Sequence, residues 1–137
     1  MGLLIDTSVF IDHERGRLDL AGVVEGREDE DVFVSVVTAS ELLHGVHRAR
    51  DRGLRTRRSA FVEAILAEFP LLPIDVLSAR THARLWAELV DSGRVIGAHD
   101  LWLAAACLGR GLVLATGNPR DFGRVPGLEI EVWGPST

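Results

Sequence analysis

Short apolar runs that alternate with longer helix-like stretches constrain this chain most. Leu3-Leu4-Ile5, Val32-Phe33-Val34-Ser35-Val36-Val37 and Leu112-Val113-Leu114-Ala115 are apolar almost without interruption. A strand that is apolar on both faces must be covered on both faces, as in parallel sheets whose crossovers are helices. Leu71 to Ile74 reads as a further short strand. Leu128 to Val132 reads as a last one, at an edge because Glu129 and Glu131 alternate with apolar residues. The pattern predicts an α/β fold, a mostly parallel central sheet of about five strands with helices on both faces.

The intervening segments read as helices. Thr7 to Glu14 is a short one, and Asp19 to Gly26 is another. Thr38 starts the helix after the second strand, and a further helix runs from about Leu54 to Glu68. The latter carries Phe61, Ile65, Leu66 and Phe69 on one face and stops at Pro70. Asp75 caps a helix that runs to about Asp91 and ends near Gly93. His99 to Leu108 is a nearly all-apolar helix, terminated by Gly109 and Gly111. Thr116 to Phe122 reads as a polar turn, and Gly134 to Thr137 as a tail. With no repeat and no linker, residues 1–137 read as a single domain.

No apolar run approaches the roughly 20 residues that cross a bilayer. Asp6 and Asp12 break what would otherwise resemble a leader. The expectation is a cytoplasmic protein with no membrane partner. The single cysteine, Cys107, excludes an internal disulfide and a cysteine zinc cluster. Its neighbours Ala104 to Leu108 make it a small core residue. A net charge of −5 argues against a general nucleic-acid binder. All 15 basic residues are arginine. Genome composition accounts for that as readily as function does, but it removes a Schiff-base lysine and a P-loop lysine.

Three carboxylates stand where strands turn into helices: Asp6, Glu41 and Asp100. In an open parallel sheet ligands bind beyond the carboxyl ends of the strands. Asp6 ends the first strand, Glu41 follows the second, and Asn118 and Asp121 follow the fourth. Asp100 begins the helix that leads into that fourth strand. All reach one rim, and such a set of hard oxygen donors suits Mg²⁺ or Mn²⁺. Each acid also has a plainer explanation. Thr38-x-x-Glu41 is a capping box. Asp100 suits the positive end of a helix dipole. Asp6 can form an Asx-turn with Ser8. The plainer explanations hold singly; all three together on one rim are harder to sustain.

Four segments resemble the successive motifs of PIN-domain ribonucleases, and most closely VapC-type toxins of bacterial toxin–antitoxin pairs. They are Ile5-Asp6-Thr7-Ser8-Val9-Phe10-Ile11, Ser35 to Leu42, Gly97 to Ala105, and Leu114 to Phe122. The likeness extends over essentially the whole chain in order and spacing. It implies a metal-dependent RNA endonuclease, often a homodimer, held inactive by a small VapB-like antitoxin. Asp6, Glu41 and Asp100 match the three acidic metal ligands. The fourth acidic position falls on Asn118, an amide, and Asp121 is the candidate to supply that charge. Ser8 and Thr116 match polar positions that orient ligands.

An acidic protein that binds RNA needs local basic surface. Arg48, Arg50, Arg52, Arg55, Arg57 and Arg58 cluster at one helix–helix connection, as phosphate contacts or as a solvated charged surface. His99 reads as a helix cap or a solvated residue. Two other readings compete. A receiver-like or aspartyl-phosphate domain would also end its first strand in Asp, but needs a second acid near it and a lysine. A catalytically silent PIN-like RNA- or protein-binding module is motivated by Asn118.

Overall fold

The computed structural model describes residues 2–134. The chain runs β1 (Leu3–Ile5), α1 (Thr7–Glu14), α2 (Leu20–Val24), β2 (Val32–Ser35), α3 (Val36–Arg48) and α4 (Arg52–Glu68). It continues β3 (Leu71–Leu72), α5 (Val76–Ser92), α6 (Ala98–Arg110), β4 (Val113–Thr116), α7 (Pro119–Phe122) and β5 (Ile130–Val132). The sheet order is β3-β2-β1-β4-β5, and every pairing is parallel. The expected α/β architecture is therefore present, with β5 at an edge. Beyond Gly134 the expected tail lies outside the described residues.

The two-residue period of the strands divides the apolar side chains between two cores. Leu4 and Leu114 face one, with Leu85, Leu89, Leu101, Leu103 and Phe122. Leu3, Ile5 and Ala115 face the other, with Val9, Phe10, Leu42, Val62 and Ile65. Both faces of β1 and β4 are thus buried, which is why their sequences lack polar alternation. Cys107 lies in the first core. The apolar stripe of α4 is spent on the second, where Val62 and Ile65 are buried. At Gly109 a methyl group would sit 3.0 Å from Thr81 Oγ1, so this glycine lets α5 and α6 approach closely.

Several boundaries differ from expectation: α6 continues through Gly109 to Arg110, so Gly111 alone ends it, β3 stops at Leu72 and β5 starts at Ile130. The β-branched pair Val36-Val37 extends the strand pattern, yet the helix begins at Val36. Ser35 is the reason: its hydroxyl accepts from the Val37 amide at 3.0 Å and caps α3. Thr38 is therefore inside the helix and cannot head a capping box. Residues 119–122 form the short helix α7, with Pro119 at its start, where a missing N–H costs nothing.

Caps fix other ends. Asp75 accepts from the Ser78 amide at 2.9 Å, and Gly93 closes α5 in the left-handed conformation, φ 70°. Asp51 accepts from the Leu54 amide at 2.8 Å. Asp51→Ala is expected to lower stability by about 1 kcal/mol. A urea midpoint shift with unchanged slope checks this; no shift would mean that α4 holds without its cap.

Candidate carboxylate site at the strand ends

The carboxyl ends of β1 and β4 meet at Asp6. Its amide donates to Ala115 O at 2.8 Å, which locks the residue to the neighbouring strand. Asp6 is 4% exposed and precedes α1. Its Oδ2 accepts from Ser8 Oγ and from Thr116 Oγ1, each at 2.7 Å. Thr116, fully buried, also accepts from the Asn118 amide at 2.9 Å, and Ser8 Oγ accepts from the Gly117 amide at 3.1 Å. Two hydroxyls thus tie the Asp6 carboxylate to the loop after β4. This is more than an Asx-turn, because one of its partners comes from 110 residues away.

Glu41 is half-buried in the second turn of α3, one turn further in than its sequence context suggests. Its Oε1 accepts from Thr7 Oγ1 at 2.7 Å. Thr7 Oγ1 stands 3.0 Å from the hydroxyl of Thr38, which is fully buried. The other oxygen, Oε2, lies 3.3 Å from His99 Nδ1. Thr7 and His99 are contacts that sequence reasoning did not assign. Their only signal was adjacency, Thr7 beside Asp6 and His99 beside Asp100.

Asp100 lies in the first turn of α6 and Asp121 in that of α7. Burial pushes the Asp100 carboxyl up to about 6, helped by the negative charges of Asp6, Glu41 and Asp121 and opposed by His99. Burial also raises the Asp6 carboxyl; the hydrogen bonds from Ser8 and Thr116 work against that, and the charge of Glu41 adds to it. Four acids from four segments therefore form one electrostatic cluster. Asn118 precedes α7, exposed and with no side-chain cap bond.

The donor set fits a hard divalent cation: carboxylate oxygens, with a single imidazole already paired to Glu41. As placed, no three acid, imidazole or thiol groups among the described residues are gathered tightly enough to hold an ion outright. Hydroxyls and His99 hold Asp6 and Glu41 instead.

The PIN-domain family model matches residues 3–128. Ribonuclease VapC1 of Rickettsia felis is 35% identical over 130 residues, with 95% of each chain covered. The chain belongs to the PIN-domain family, among the VapC ribonucleases. The tRNA(fMet)-specific endonuclease VapC of Shigella flexneri is 33% identical over 100 residues, covering 73% of this chain and 74% of that one. A DNA-bound VapBC from Salmonella typhimurium superposes with a TM-score of 0.88 at 27% identity, covering 97% and 98% of the two chains.

The arginine cluster of this PIN domain divides. Arg55 donates twice to Ala49 O, at 3.1 and 2.7 Å, and closes the turn between α3 and α4. Arg58 pairs with Glu14 at 3.0 Å and donates to Gly45 O at 3.1 Å. Arg48, Arg57 and Arg58 line cavities between α1, α3 and α4; Arg50 and Arg52 are exposed outside them.

Proposed function

We propose that this chain is a metal-dependent RNA endonuclease and the toxin of a toxin–antitoxin pair. Asp6, Glu41 and Asp100 are its ligands for Mg²⁺ or Mn²⁺, and Asp121 is the supporting fourth acid. PIN-domain nucleases depend on divalent metals. The observation that carries the assignment is the convergence of four acids from four segments, with Asp6 and Glu41 held by Ser8, Thr116 and Thr7 and with Asp6, Glu41 and Asp121 near enough to act on the half-buried Asp100. A fold keeps such a cluster when a cation neutralises it. The bound ion supplies an activated water and offsets charge on the phosphate undergoing in-line displacement.

The chain's own residues do the positioning. Ser8 and Thr116 fix the Asp6 carboxylate through one shared oxygen, so its rotamer is set before substrate arrives. Thr7 does the same for Glu41 across two helices. Neither acid acts as nucleophile. Asn118 fits a silent binding module better than an enzyme, but Asp121, one turn on, contributes its charge to Asp100.

The relatives give the reading its partners. Several structural neighbours are VapBC complexes, which supports a VapB-like antitoxin, and one relative cuts a transfer RNA. A homodimer is the expected assembly, which sedimentation measures directly. A cytoplasmic location is proposed; among the described residues no helix is long and apolar enough to cross a membrane.

The test is transfer RNA incubated with EDTA-treated protein, then with Mg²⁺ or Mn²⁺ restored. Cleavage only on restoration is expected. No cleavage of transfer, ribosomal or messenger RNA with either ion would leave the silent module. Growth arrest on expression, relieved by the neighbouring open reading frame, is the expected result in cells.

A further inference from the structure

Hydroxyls hold Asp6 and Glu41 in different ways. Asp6 Oδ2 accepts from Ser8 and Thr116, each at 2.7 Å. Both of those hydroxyls are pinned in turn, because the Gly117 amide donates to Ser8 Oγ and the Asn118 amide to Thr116 Oγ1. The two stand 3.4 Å apart, a longer contact than either makes with Asp6. A hydroxyl carries a single proton. With an amide on its oxygen, each directs that proton at Asp6.

Glu41 is held by a hydroxyl that has a choice. Thr7 Oγ1 lies 2.7 Å from Glu41 Oε1 and 3.0 Å from Thr38 Oγ1. Its one proton therefore has two acceptors within reach, a carboxylate and a hydroxyl. The carboxylate is nearer and charged, so it takes the proton in the resting site. Rotation about the Thr7 Cβ–Oγ1 bond redirects the proton to Thr38 without displacing a heavy atom. The other oxygen of Glu41 faces the exposed imidazole of His99.

Thr38 is fully buried and does not cap α3, since Ser35 does. It stands three residues before Glu41, on the same side of that helix. A buried hydroxyl is costly unless it is bonded, and Thr7 is the partner that the fold brings to it.

We propose that Thr38 is a positioning residue that acts on Glu41 through Thr7. It accepts the Thr7 proton when a divalent cation engages Glu41 Oε1, so the carboxylate turns to the cation and no buried hydroxyl is left without a partner. The proposal rests on the reading of Glu41 as a metal ligand. Asp6 is then the fixed corner of the site and Glu41 the releasable one.

The experiment is calorimetric titration of Mn²⁺ into the EDTA-treated, dialysed full chain, with melting temperatures measured separately in EDTA. Thr38→Val keeps the volume and removes the hydroxyl. It is expected to weaken Mn²⁺ binding about fivefold to tenfold, the scale of one buried hydroxyl left unpaired in the bound state. Thr38→Ser keeps the hydroxyl and should bind within about twofold of wild type. Thr81→Val, at a buried threonine of α5 whose hydroxyl donates to Leu77 O, is the control and should not change the affinity. In a Thr7→Val background, Thr38→Val should change Kd by less than about twofold, and a full additive loss there overturns the route through Thr7. Thr38→Ala carries the same test where valine is not accommodated. A purely structural Thr38 gives the reverse pattern, a lower melting temperature in EDTA with unchanged affinity, and that result overturns the proposal. Equal losses in Thr38→Ser and Thr38→Val overturn it too, since shape rather than the hydroxyl then matters. A wild type that binds no Mn²⁺ sinks the metal reading and this proposal together; wild-type binding that Thr38→Val leaves intact sinks Thr38 alone.

Discussion

Asp100→Asn is expected to abolish RNA cleavage and, in the same protein, to raise the melting temperature measured in EDTA. The two effects have one cause. The Asp100 carboxyl has its proton affinity lifted from 3.8 to about 6 by burial and by Asp6, Glu41 and Asp121. The folded state therefore binds more protons than the unfolded chain between those values. Stability from this group is fully present below about pH 4 and is lost as pH rises through about 6, so at neutral pH the ionised acid is a burden. Asparagine keeps the shape and removes the charge. Because Asp100 is only half-buried, the gain is about 1–2 kcal/mol, or roughly 3–6 °C. At pH 3.5 the gain should vanish. Cleavage should fall by at least about 10²–10³-fold, the scale for losing one preorganised electrostatic group at a developing charge. Retained cleavage removes Asp100 from the ligand set. Lost cleavage with a lowered melting temperature at neutral pH would mean that Asp100 is a structural acid.

The sheet was legible because its strands are buried on both faces, and burial removes the alternation that an exposed face would impose. Leu3, Leu4 and Ile5 show this in three residues, since they supply both cores. The common rim of the acids followed from that topology. What the sequence concealed were boundaries and contacts made across the chain. Val36 and Val37 favour a strand, and the Ser35 hydroxyl decides otherwise. That one-turn change strips Glu41 of its capping-box role and leaves its carboxylate to Thr7. No local pattern reports a hydrogen bond between residues 34 positions apart. The arginine cluster looked uniform from Arg48 to Arg58. In the fold Arg55 closes a turn, Arg58 is paired, and Arg15, far away in sequence, joins Arg48 in one groove.

Titrating Mn²⁺ or Mg²⁺ into EDTA-treated protein at about pH 7.5 is expected to raise its melting temperature by about 10 °C at a hundredfold excess over Kd. A ligand that binds only the folded state at that excess contributes about 2.7 kcal/mol, and a domain of this size converts that to a shift of this order. The effect should fade as pH falls through about 6, because protons compete for the carboxylates and Asp100 is the first to accept one. Matched ionic strength in NaCl is the necessary comparison, since salt alone screens repulsion between partly exposed acids and mimics a weak site. Screening acts on any charge cluster and should survive Asp6→Asn. Ligation should not, because Asp6 is the buried acid whose geometry Ser8 and Thr116 hold fixed. A shift of equal size in Asp6→Asn, or in NaCl alone, would make the cluster a site of diffuse counterion attraction. A shift confined to the wild type above pH 6 makes it a metal centre.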